Sequence, residues 1–349
     1  MTLEETKEAI VQPDENAIAL AKRHWDNIAK PLHSLGKLED VLVQIAGITG
    51  KEKINLEKKA LLVFCADNGV VEEGVTQSGK DVTKIVSENF LQTRATASIL
   101  CKEAKADIFP IDIGIADETI LPNYKIAYGT KNMTKGPAMT RQEAIQALET
   151  GIAVAEERIR EGYTILATGE MGIGNTTTSS AIASVLLGKS AAEVTGRGAG
   201  LSSEGLIRKI AAIEKAIEVN QPDSTDAIDV LSKVGGFDIA GMAGTFLAGA
   251  AHHVPVVMDG FISCVAALVA VRIAPETEGY IIASHVSKEP AVRMLLEALH
   301  KEPALNCDMC LGEGTGAVML FPILDMANAV YEGMTTFEGN NMDAYVPLT

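Results

Sequence analysis

Two glutamates in this chain sit in glycine frames. Glu170 lies in Thr164–Ala181, TILATGEMGIGNTTTSSA, and Glu313 lies in LGEGTGA at 311–317. Neighbouring glycines let backbone and ligand approach closely. A carboxylate held in such a partly apolar pocket has its pKa raised by desolvation and becomes a usable general base. Glu313 also precedes an apolar helix, whose N-terminal dipole favours a negative charge. The 164–181 stretch reads as a buried strand, a glycine loop and a threonine-rich helix start, an order that offers N–H groups and a helix dipole to an anion. A second glycine run, Gly196–Gly200, leads into a helix from about Ser203. Its first turns carry Arg208 and Lys209, and Lys209 reads as a phosphate ligand.

Alternating strands and helices would position these groups. Strands are expected at 60–66, at 106–115, at a short 125–130, at the start of the 164–181 stretch, at 255–259 and at 280–284. Helices are expected at 15–48 (two, broken at Pro31, with Ser34 as a cap), at Asp81–Leu100, and from the capping box Thr140–Glu143 to about Gly162. More follow at Ala227–Lys233, Ile239–His252, 261–271, about Pro290 to His300, and from 317 to about Tyr331. This pattern predicts an α/β fold, a doubly wound, mostly parallel sheet with helices on both faces. The helices of the two chain ends are expected to pair as a small helical lobe. The implied division is 1–58 (N-terminal helices), 59–310 (the Rossmann-like domain) and 311–349 (the Glu313 loop and last helix). The strand ends Asp67, Glu170, Asp259 and Ser284/His285 would then share one edge, where open α/β sheets place their ligands.

Composition narrows the class. The chain has 349 residues, 47% hydrophobic and 4% aromatic, enough for a large core. A net charge of −16 argues against a nucleic-acid partner, although a local site for a phosphorylated substrate remains compatible with it. The polar, acidic start MTLEETKEAI is unlike a signal peptide, and the apolar runs are too short or interrupted to span a membrane. Five scattered cysteines read as reduced thiols of a cytoplasmic protein, and Cys307-x-x-Cys310 lacks the second pair of a metal site. Gly188-Lys189-Ser190 lacks the upstream glycine of a P-loop, and Gly169-x-x-Gly172-x-Gly174 is not dinucleotide spacing. His252-His253 falls at a helix end and reads as cap or core.

Several motifs together resemble one family. GEMGIGNTT (169–177), DVLSKVGGFDIAGM (229–242), DGFISCVAAL (259–268), SHVSKEPA (284–291) and LGEGTGA (311–317) are similar to those of the nicotinate-nucleotide:dimethylbenzimidazole phosphoribosyltransferases. CADNGVVEEGV (65–75), GPAM (136–139) and SLGKLE (34–39) agree, so the resemblance spans about 20–335. It implies transfer of the phosphoribosyl group of nicotinate mononucleotide to the lower-ligand base of a cobamide, with inversion at C1′. It implies Glu313 as general base and Glu170 as a second acidic residue near ribose and nicotinate. Gly172, Asn175, Thr176, Thr177, Lys209, Gly260 and Ser287 would bind the nucleotide; Ser78, Val86 and Leu311 would lie beside the acceptor. No metal or cofactor is implied. A homodimer, or a heterodimer with a paralogue as in phenol-activating relatives, is expected; the apolar helices such as Ile239–Ala251 and the terminal helix fit a buried interface, and core packing explains them nearly as well.

The acceptor half departs from the family pattern. Gly79 replaces a common proline, Val86 stands where glutamine or methionine is common, and Leu91–Ser98 (LQTRATAS) and PLHSLG lack usual glycine or proline-glycine elements. The expected acceptor is therefore non-standard: another benzimidazole, a purine or a phenol.

Overall fold

The computed structural model describes residues 1–79 and 81–345; residues 346–349 of the expected C-terminal segment lie outside the described residues. Five parallel strands form one sheet in the order β2-β1-β3-β4-β5. They are β1 (Lys59–Ala66), β2 (Asp107–Gly114), β3 (Ile165–Met171), β4 (Val256–Met258) and β5 (Ile281–Ala283). Strand side chains alternate between faces. Leu62, Phe64 and Ala66, with Leu166 and Met258, enter one core. Leu61, Val63 and Cys65, with Ile165, Ala167, Val257 and Ile282, enter the other. Both faces are covered, which explains the near-continuous apolar strand sequences.

The helices, in chain order, are α1 (Leu3–Ala9), α2 (Glu15–Asn27), α3 (Lys37–Thr49), α4 (Asp81–Leu91), α5 (Thr96–Ala104), α6 (Arg141–Arg160) and α7 (Asn175–Leu187). They continue with α8 (Ala191–Val194), α9 (Ser203–Asn220), α10 (Ala227–Val234), α11 (Phe237–Ala251), α12 (Phe261–Ile273), α13 (Val292–Ala298) and α14 (Thr315–Gly333). Helices α6, α7 and α9 to α13 serve the first core. Helices α2 to α5 and α14 serve the second. The two chain ends meet there: Trp25 of α2 packs edge-on against Tyr331 of α14 at 5.0 Å, and Ile28 bridges Thr336.

Helix α11 is buried along nearly its whole length against α6, α12 and β1. A Cβ at Gly151 would lie 2.0 Å from the Gly241 carbonyl oxygen, and one at Gly244 would lie 2.0 Å from that of Leu148. The glycines therefore let two backbones touch. The apolar composition of Ile239–Ala251 is consumed by this internal crossing, so it supplies no surface for a second chain.

Three local expectations need correction. Residues 125–130 are not a strand. The segment runs beside β2 through single bonds (Tyr124 N–H to Asp112 at 2.9 Å, Ile126 N–H to Ile113 at 3.0 Å) and is pinned by a buried Lys125–Asp112 pair at 2.7 Å. Asp81–Leu100 is two helices, because Thr93 takes a left-handed φ of 53° and Ser98 bonds back to Ala95 to start α5. Ser34 does not cap α3. Gly36 occupies that position, and buried Glu39 takes the Leu35 N–H at 2.8 Å and Lys30 Nζ at 2.6 Å instead.

His252 forms the C-cap of α11 and meets Glu156 at 3.0 Å, a capping role. Among the described residues, no helix is long and apolar enough to cross a membrane.

Candidate active site

The strand order reverses direction between β1 and β3, and ligand crevices open at such a point beyond the strands' C-terminal ends. A cavity of about 330 Å³ lies there. Its floor is the end of β3 with Gly172–Thr176, and its walls come from the turns after β4 and β5, from residues 75–78 and 197–201, and from 310–313. Gln77 donates to the Gly200 carbonyl and ties two of these loops together across the opening.

One end gathers a buried ammonium, a hydroxyl and a helix N-terminus. Lys209, in α9, is 1% exposed; its ammonium donates to Thr176 Oγ1 at 2.8 Å and to the Gly196 carbonyl at 3.2 Å. Burial pushes its pKa down to about 8, opposed by nearby Glu289. Lys209 still carries its charge at neutral pH. Gly198 passes over this group in a left-handed conformation (φ 52°), and a Cβ there would stand 2.9 Å from Thr176 Oγ1. Helix α7 starts at the same place, adding its N-terminal dipole.

The other end holds the two glycine-framed glutamates, and their frames pack against each other. A Cβ at Gly169 would lie 2.6 Å from the Glu313 carbonyl oxygen, and one at Gly312 would lie 2.5 Å from Glu170 Oε1. Glu313 itself adopts φ 60° and lines the cavity. Its Oε2 accepts the Ala97 N–H at 3.1 Å, in the first turn of α5. Desolvation raises its pKa, the Ala97 bond lowers it, and the Asp259 charge adds to the rise.

Glu170 is buried. Its Oε1 accepts the Glu313 N–H at 3.4 Å, and its Oε2 accepts from Asn175. Burial first, then the Asp238 charge, push its pKa up to about 8.

Asp259 follows β4 and anchors α14 to the sheet edge. Its Oδ1 accepts the Gly316 and Ala317 N–H groups at 2.8 and 3.2 Å, and His285 Nδ1 stands 3.7 Å away. Burial raises its pKa, and His285 and the helix N–H groups oppose this. The strand ends Asp67, Glu170, Asp259 and Ser284/His285 do share one sheet edge. Glu170, Asp259 and His285 line the cavity.

A family model described as "Phosphoribosyltransferase" matches residues 10–342. The chain belongs to this family. A curated relative from Ruminiclostridium cellulolyticum, named nicotinate-nucleotide–dimethylbenzimidazole phosphoribosyltransferase, is 48% identical over 351 residues, covering 100% of both chains. One of the same name from Acetivibrio thermocellus is 49% identical over 346 residues, covering 98% of this chain and 99% of its own. The crystal structure of CobT from Thermus thermophilus superposes with a TM-score of 0.89 at 37% identity, covering 94% of this chain and 99% of that one.

In this phosphoribosyltransferase, the cavity collects Glu313, Glu170, Gly172, Asn175, Thr176, Lys209, Gly260 and Ser287, together with Ser78, Val86 and Leu311. Thr177 stands apart. It is fully buried, its N–H closes the first turn of α7 onto Gly174, and it does not line the cavity. Sequence reasoning gave no role to Asp238, Glu289 and Arg197, and it set Cys310 aside as a metal ligand. The last three line the cavity, and Asp238 stands behind it. Asp238 falls inside the 229–242 motif, and the pair Gly235-Gly236 before it was the available signal. Glu289 falls inside the 284–291 motif and folds over Gly196, whose Cβ would run into its carboxylate.

Proposed function

We propose that this chain transfers the phosphoribosyl group of nicotinate mononucleotide to a ring nitrogen of a benzimidazole-type base. One observation carries the reading. A buried lysine at a helix N-terminus and a half-buried glutamate with a raised pKa share one cavity of nucleotide size. The 5′-phosphate binds at Lys209 and Thr176. The ribose spans the loop from Gly172 to Asn175, and nicotinate lies toward Glu170 and Ser287. The acceptor enters between Ser78, Val86 and Leu311, opposite the leaving group.

The acceptor nitrogen attacks C1′ while the C1′–pyridinium bond breaks, and the pyridine nitrogen keeps the electron pair. Glu313 takes the proton that the acceptor loses. The products are an α-ribazole-type 5′-phosphate, inverted at C1′, and nicotinate. The leaving group is already cationic, so the protein supplies positioning and one base.

The relatives' names point to dimethylbenzimidazole as acceptor. The smaller Val86 and the altered 91–98 segment support a range that extends to other planar bases. The test incubates the protein with nicotinate mononucleotide and a panel of dimethylbenzimidazole, benzimidazole, adenine and a phenol, with products read by mass spectrometry. Acceptor-dependent nicotinate release is expected. Turnover of dimethylbenzimidazole alone would remove the wider range, and no release with any base would overturn the reading. Release only after a homologous chain is added would assign this protein a partner-subunit role.

A further inference from the structure

Asp238 opens α11 from behind the cavity and is fully buried. Its Oδ2 accepts from Asn175 Nδ2 at 3.1 Å, and the same amide nitrogen donates to Glu170 Oε2. Its Oδ1 turns back onto the Ile239 N–H at 3.0 Å. Two buried carboxylates are thus tied to one neutral amide. Among the described residues, the outside charges that raise the pair's pKa values are anionic, Asp67 after β1 and Asp259 after β4, and Glu313 lines the same cavity. His285 lies beyond Asp259, Lys209 serves the opposite end of the cavity, and Arg197 is bonded to the Leu201 carbonyl and Ser203. A buried negative pair with no cation bonded to it among the described residues is costly in the free protein. The cavity it faces therefore favours a ligand that brings a positive charge.

We propose that Glu170, Asn175 and Asp238 form the counter-charge for the pyridinium ring of the donor nucleotide. Asp238 is a positioning residue that acts through Asn175 and Glu170. The inference rests on the donor assigned above. Burial pushes Glu170 up to about 8 and Asp238 up to about 6, so the free pair retains proton near neutrality. The arriving pyridinium nitrogen replaces that proton, while the ring's own carboxylate stays ionised and exchanges none. When the C1′–N bond breaks, the ring nitrogen keeps the electron pair and becomes a neutral pyridine. The pair then loses its cation and takes a proton back from water, which favours release of nicotinate.

The test is calorimetric titration near pH 7 in buffers of different ionisation enthalpy, with nicotinate mononucleotide and with ribose 5-phosphate. Both ligands carry the phosphate, and only the first carries the pyridinium. The wild type is expected to release more proton with the mononucleotide, by roughly half an equivalent from proton linkage. In D238N the excess falls by at least about half, and mononucleotide affinity drops about tenfold, the worth of one pKa unit. Ribose 5-phosphate affinity stays within about twofold, because its phosphate meets Lys209 at the far end. Should D238N not fold, E170Q carries the test and is expected to abolish the excess. Equal proton release with both ligands in the wild type overturns the inference, as does an excess unchanged in both variants. If acceptor-dependent nicotinate release persists in the wild type while this excess is absent, only the counter-charge is wrong. If that release is itself absent, the donor assignment fails.

Discussion

The Glu313 carboxylate accepts the Ala97 N–H at 3.1 Å, joining the loop before α14 to the start of α5. That start exists because the expected long helix breaks at residues 92–95 and Ser98 caps a new one. The interruption in the acceptor-side sequence therefore creates the donor that orients Glu313. Half-burial raises the carboxyl pKa while the N–H holds one oxygen and leaves the other for a proton.

The close packing of Gly169 against the Glu313 backbone makes a sharp expectation. Gly169→Ala would place a methyl 2.6 Å from the Glu313 carbonyl oxygen, which must move. The variant should lose about 100-fold in kcat, since misplacing a catalytic group by an ångström costs that much. Its KM for the nucleotide should change less. Steady-state kinetics, with circular dichroism as a folding control, read the outcome.

Lys209 carries a stability cost for binding. Buried and bonded only to a hydroxyl and a carbonyl, its ammonium has a depressed pKa of about 8. Lys209→Met should raise the Tm at pH 7 by removing a desolvated charge, and should raise the nucleotide KM at least about tenfold by removing a charged phosphate contact. Binding should also weaken in the wild type as pH rises through about 8, where the lysine loses its proton. Thermal melts and binding titrations across pH check both statements. A melting temperature that falls would show that Lys209 stabilises the fold.

Glu170 predicts a pH dependence of the ligand-free protein. Its folded pKa of about 8 stands above the ordinary carboxylate value, so the folded state binds more proton than the unfolded chain. This contribution is fully present below the ordinary carboxylate range and is lost as pH rises through about 8. Glu170→Gln should therefore melt near the wild type at pH 5 and above it at pH 9. Equal melting differences at both pH values would contradict the buried-acid description.

Val86 lies on α4, which is tied to the nucleotide loop by the Ile173 N–H bonding Thr83 Oγ1 at 3.1 Å. Enlarging it should act on the acceptor alone. Val86→Met should change the ranking of acceptors and raise the KM of the bulkiest by about tenfold, the worth of one or two methylenes in an apolar pocket. The nucleotide KM should hold within about twofold, because Lys209 and Thr176 are untouched. Competition assays with paired bases measure this.

The parallel sheet, the two glycine frames and the strand-end carboxylates were legible because each is a local pattern. Near-continuous apolar strands alternating with helices give the sheet, and glycine next to glutamate gives the frame. What stayed hidden depends on distant partners. Asp238 looks like a helix-start residue until Asn175 is seen to join it to Glu170. Thr177 looks like one more cradle threonine until helix geometry turns it into the core, away from Thr176. The false strand at 125–130 had strand composition, but the Lys125–Asp112 pair and its turns hold it in another path. The glycines and alanines of α11 suited an interface or close core packing, and they pack against α6 of the same chain.

The central claim is that Glu313 removes the acceptor proton during phosphoribosyl transfer. Its most direct test is the kcat of Glu313→Gln for nicotinate release with nicotinate mononucleotide and dimethylbenzimidazole, both saturating. A fall of at least about 100-fold, with nucleotide binding retained, is the result expected of a lost general base. A kcat equal to that of the wild type would contradict it.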